Sequence, residues 1–130
     1  MSTLKVNTIQ NTSGGSSSTP EQIETGRLKA WGSFKGSGTV SIHASYNFSS
    51  ITDISTGRYR LSFSTAMSDT NYAITANTMK GDNNNDGNAK IQCGGCDGTP
   101  AVNTGNFEAR TLASHLDHND PDKFWVMVAR

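Results

Sequence analysis

Residues 38–65 constrain the fold more than any other stretch, because their apolar side chains recur at every second position. Val40, Ile42, Ala44, Tyr46 and Phe48 alternate with Ser41, His43, Ser45 and Asn47. Beyond a polar turn closed by Gly57, Tyr59, Leu61 and Phe63 alternate with Arg58, Arg60, Ser62 and Ser64. In an extended chain each set falls on one side, so the pattern predicts two antiparallel strands, each with one buried and one solvated face.

The rest of the chain continues this sheet or leads into it. Leu28, Ala30, Gly32 and Phe34 share a face in a preceding strand, with Trp31 on the opposite, otherwise polar face, where it reads as a partly covered packing residue. Tyr72, Ile74 and Ala76 face inward in a strand over 71–80, a weak strand covers 89–93, and Phe107, Ala109 and Thr111 are in phase over 106–112. The last strand, 123–130, differs in being apolar on both sides. Phe124, Val126 and Val128 lie on one face, and Trp125, Met127 and Ala129 on the other, which predicts cover on both faces, by the domain or by a partner subunit.

Ahead of the sheet, residues 1–27 read as an attachment segment. Leu4, Val6 and Ile9 are its only sizeable apolar side chains before a Gly/Ser run of linker composition. Thr19-Pro20-Glu21-Gln22 then spells a helix start, with Thr19 as N-cap, Pro20 in the first helical position and Gln22 at the capping-box position; Gly26 ends the helix within two turns. The expected architecture is all-β: a small antiparallel β-sandwich over 28–130, carried on an extended N-terminal segment with one short helix.

With 130 residues the chain suits one domain that buries about two-thirds of its unfolded surface. The composition is 33% hydrophobic and only 17% charged, so the core is thin and further burial by oligomerisation is expected. The formal net charge of zero gives no electrostatic footprint for nucleic acid or an anionic membrane. No apolar run reaches a membrane span, so no membrane insertion is expected. The first residues lack a signal-peptide layout, which predicts a protein made in, and kept in, a cytoplasm.

Several words in this order carry a resemblance. Ala30-Trp31, Gly36-Ser37-Gly38-Thr39, Ser49-Ser50-Ile51-Thr52-Asp53, Gly57-Arg58-Tyr59 and Phe63-Ser64-Thr65-Ala66-Met67 resemble the recurring C-terminal β-domain of bacteriophage tail-fibre and tail-associated proteins. The opening, Ser2-Thr3-Leu4-Lys5-Val6-Asn7-Thr8-Ile9-Gln10, is similar to the start of many such proteins, notably in phages of cyanobacteria and other marine bacteria, and Val126-Met127-Val128-Ala129-Arg130 fits as an ending. Residues 80–122 carry no part of the likeness.

The resemblance implies a non-enzymatic virion component, a tail fibre or fibre-like appendage assembled in the host cytoplasm, generally as a homotrimer in contact with other tail, neck or capsid proteins. Leu4, Val6 and Ile9 then belong to virion attachment, and Trp125 and Met127 to a subunit interface. Loops at 80–88, 94–105 and 113–122 point outward, and a host-surface glycan would meet Asp82, Asn84, Asp86, His115, Asp117 and His118 there. A capsid or neck decoration protein without a receptor is the structural alternative.

The same loops hold residues with metal-binding and hydrolytic chemistry. Asp82-Asn83-Asn84-Asn85-Asp86-Gly87 matches the opening of a calcium loop, but Cys93 stands where the bidentate Glu belongs, and the composition equally suits a bare turn. Cys93 and Cys96 with His115 and His118 supply the atoms for tetrahedral zinc, although two residues between the histidines is short spacing; a Cys93–Cys96 bridge and ordinary free thiols remain alternatives, the thiols being favoured. Asp117, Asp120 and Asp122 beside the histidines suggest a hydrolytic site less readily than a solvated acidic loop. No metal or cofactor is assigned.

Overall fold

The computed structural model describes residues 2–15, 17–79, 90–93, 102–112 and 120–130, with 90–93 and 112 described by backbone alone. Strand β1 (Ile9–Gln10) pairs antiparallel with β2 (Ser17–Ser18). The linker-like Gly/Ser run is therefore part of a small hairpin. Asn11 closes it: its carbonyl accepts from Gly14 N–H at 3.0 Å, its Oδ1 accepts from Gly15 N–H at 2.9 Å, and Gly14 takes a φ of 72°. Helix α1 (Pro20–Gly26) carries the expected capping box, Gln22 N–H donating to Thr19 Oγ1 at 3.2 Å and Thr19 N–H to Gln22 Oε1 at 2.9 Å. None of its residues is buried.

The remaining strands form two four-stranded antiparallel sheets. Sheet I has the order β4-β3-β10-β7, from β3 (Leu28–Lys35), β4 (Ser41–Tyr46), β7 (Ala73–Met79) and β10 (Lys123–Ala129). Sheet II has the order β5-β6-β9-β8, from β5 (Phe48–Ser55), β6 (Arg58–Phe63), β8 (Lys90–Cys93) and β9 (Asn106–Leu112). Their inner faces enclose one aromatic core. Phe34 and Phe124 of sheet I stack at 5.1 Å, Tyr59 of sheet II lies 5.1 Å from Phe124, and Phe48 meets Phe34 edge-on at 5.3 Å. Phe63 and Phe107 extend the cluster towards Tyr72. A Cβ on Gly32 would sit 2.3 Å from the Phe34 ring, so the glycine makes room for that ring on its own strand.

The alternation over 38–65 holds locally but belongs to both sheets. The first strand breaks at Asn47, whose φ is 60°: β4 pairs with β3 in sheet I, whereas β5 pairs with β6 in sheet II. Ser49 to Asp53, which read as turn, continue β5. The phase also slips, because Ser33 pairs with Ala44 and Phe34 with Ile42, leaving His43 as a bulge. Ile42 and Phe48 still face the core, but Ala44 and Tyr46 turn outward, and Tyr46 is 53% exposed rather than buried.

Elsewhere the inward sets are those expected, save that Leu28, placed on one face with Ala30 and Phe34, is 42% exposed, because the β3–β10 register shifts between Ala30 and Leu28 and leaves Lys29 as the extra residue. Tyr72, Phe107, Ala109, Thr111, Phe124, Val126 and Val128 are buried, and Ile74 and Ala76 pack against the core. β10 lies centrally in sheet I between β3 and β7. Its second apolar face is uncovered within the chain, with Trp125 37% and Met127 46% exposed.

Candidate functional site

The outer faces of the two sheets differ in chemistry. On sheet II, Arg60 lies opposite Glu108, and Arg58 opposite Arg110. Arg60 reaches Glu108 Oε1 at 2.7 Å and Arg58 reaches Glu108 Oε2 at 3.3 Å. The Arg60 hydrogen bond, reinforced by Arg58, holds the Glu108 carboxyl below its ordinary range. This is a solvated, internally paired face, as the Arg58/Arg60 pair suggested.

Sheet I carries no such pairing at its centre. Strand register sets Tyr46, Trp31, Met127 and Thr75 in one row across β4, β3, β10 and β7, and Ala44, Ser33, Trp125 and Asn77 in the next. Trp31 is 42% exposed, and Met79 at the end of β7 is also exposed. Charge appears only towards the strand ends: Lys123 lies over the Trp125 ring at 5.5 Å, and Lys35 ends β3. The Ser33 hydroxyl is buried among these residues without a hydrogen-bond partner. The Trp125/Met127 pair is legible in the sequence as an apolar face and Trp31 as a lone aromatic on an otherwise polar one; Tyr46 is not legible there, because the His43 bulge is not written in the alternation.

Beside Tyr46 the face runs into a groove of about 760 Å³ between α1 and the end of the sandwich, with Arg27, Lys29, Thr65 and Arg130 among its walls. Its charges are largely paired. Glu24 bonds Lys29 and lies 2.7 Å from Arg27, and the Lys29 hydrogen bond lowers the Glu24 pKa; Arg130 meets Asp69 at 2.6 Å. These residues are far apart in sequence, and no local pattern announces the groove.

At the opposite end, the Asp120-Pro121-Asp122 segment fastens β10 to both sheets. Asp120 Oδ1 accepts from Gly57 N–H and from the Tyr59 hydroxyl, each at 2.7 Å. The Pro121 carbonyl accepts from Gly36 and Ser37 N–H at 3.0 and 2.9 Å, and Ser37 Oγ donates to Asp122 at 2.8 Å. Burial, followed by the Asp120 hydrogen bond, pushes the Tyr59 pKa well up. Asp120 is thus a structural acceptor, and Gly57, with a φ of 66°, supplies the turn that brings its N–H there.

Of the residues singled out in the sequence, Leu4 is 84%, Val6 38% and Ile9 53% exposed, so none is buried by its own chain. Asp82, Asn84, Asp86, His115, Asp117 and His118 lie outside the described residues, as does Cys96; Cys93 ends β8. Among the described residues, no group of three or more His, Cys, Asp or Glu is placed to hold a metal ion, and no helix is long and apolar enough to cross a membrane. Set against protein-family models, curated proteins and solved structures, the chain matches none.

Proposed function

We propose that this chain is a structural component of a bacteriophage particle, a tail fibre or fibre-like appendage that attaches through its N-terminal segment. The observation that carries the reading is the state of that segment: Leu4, Val6 and Ile9 stand exposed ahead of a sandwich that has its own closed core. Apolar side chains held away from their own domain gain burial only from another surface. The same segment bears the opening words that resemble fibre proteins, so chemistry and resemblance favour one assignment. A host-surface glycan is the proposed ligand of residues 80–88, 94–101 and 113–119; residues 102–105 and 120–122, counted with these loops in the sequence, are tied to the sandwich instead.

The test is incorporation into particles. Mass spectrometry of purified phage particles is expected to find the chain. A triple variant, Leu4→Ser with Val6→Ser and Ile9→Ser, is expected to keep the β-sheet circular dichroism of the parent and to be depleted from particles. A chain missing from particles, or a triple variant incorporated like the parent, contradicts the proposal.

A further inference from the structure

We propose that two copies of this chain join face to face through the outer surface of sheet I, about a two-fold axis parallel to the strands and midway between β3 and β10. The inference rests on strand register and exposure rather than on the proposed function, and it replaces the homotrimer that the resemblance implies, because a self-complementary sheet face pairs two copies about a two-fold axis. Trp31, Tyr46, Trp125, Met127 and Met79 leave between 37% and 53% of their surfaces open. With about 150–250 Å² per large side chain, they expose on the order of 500 Å² per copy, at the upper end of the largest patch a monomer shows. The interleaved Ala44, Ser33, Thr75 and Asn77 bring the face towards the roughly 800 Å² per partner of a standard interface.

A second copy is the occupant that fits this surface. Two sheets pack face to face when their twists match, and a copy of the same sheet has the same twist by identity. The two-fold axis exchanges β3 with β10 and β4 with β7. From the register, Trp125 of one copy then lies over Ser33 of the other, and Tyr46 over Thr75, so large side chains meet small ones. Trp31 lies over Met127, a sulfur–aromatic pairing. An apolar centre with charge only at the rim is the usual anatomy of such an interface. The lysines at the rim add a signature: Lys35 and Lys123 sit at the same end of sheet I, so four ammonium groups converge where the copies meet. Salt screens that repulsion, and association strengthens as ionic strength rises.

Sedimentation equilibrium of the full chain tests this. At about 100 μM the expected mass is that of a dimer, and Trp125→Lys and Met127→Lys each weaken association by more than about tenfold with circular dichroism unchanged. Both side chains are exposed in the single chain, so lysine is tolerated there; Thr75→Lys, on the edge strand β7, gives a third variant should either fail to fold. Thr52→Lys, on sheet II, leaves the mass unchanged. A monomeric or trimeric parent, or a dimer indifferent to all the sheet I substitutions, overturns the proposal.

Discussion

At Asn47 the backbone leaves one sheet and enters the other without an intervening loop, and the side-chain amide replaces the hydrogen bonds a loop would have supplied. Its Nδ2 donates to the carbonyls of Lys29 at 3.0 Å and Thr65 at 3.1 Å, and its Oδ1 accepts from Thr65 N–H at 2.7 Å. The left-handed φ that the corner requires suits asparagine better than any other residue with a side chain, save aspartate. Asn47→Ala removes the three bonds and adds backbone strain, and is expected to cost about 2–4 kcal/mol in urea unfolding. Asn47→Gly loses the bonds without the strain and should cost less; equal costs would show that the strain is negligible. Nothing in the composition around Asn47 separates this corner from a plain strand position, since Ser45 and Asn47 fit a solvated face equally well.

Among the elements, β6, β7, β9 and β10 were legible because burial on one face forces a period of two, and α1 because Thr19, Pro20 and Gln22 each have a cap-specific role. Which sheet a strand joins was not legible. That depends on partners far along the chain, such as Phe124 opposite Phe34. The Asp120 latch is of the same kind. A loop aspartate gives no sign that it accepts from Gly57 and Tyr59, more than 60 residues away. Asp120→Ala takes from the buried Tyr59 hydroxyl its 2.7 Å acceptor and leaves the longer Gly36 carbonyl at 3.3 Å, and is expected to cost about 1–3 kcal/mol. Asp120→Asn keeps an acceptor oxygen and should recover much of it. Thermal unfolding of the two variants checks this; an alanine variant as stable as the parent would remove the latch from the fold.

Of the three groups with shifted pKa values among the described residues, Glu24 is exposed to solvent, and Tyr59 and Glu108 set the basic and acid limbs of stability. Tyr59 has its pKa raised in the folded state by burial and Asp120, so its contribution is complete below the unfolded value of about 10 and is lost as pH rises beyond it. Glu108 has its pKa lowered by Arg60 and Arg58, so its contribution is present above the unfolded value of about 4.3 and is lost as pH falls through the lower folded value. Melting temperature is expected to be flat between these limits, with Glu108→Gln reducing the acid limb; an unchanged acid limb would assign it to other carboxylates.

Among the described residues, two exposed apolar surfaces stand apart from the closed interior: the N-terminal segment and the outer face of sheet I. The first carries the proposed role, and locating the chain on intact particles by electron microscopy with an antibody to it tests that role most directly. Label on the tail or its appendages is the expected result; unlabelled particles, or label confined to the capsid, would contradict it.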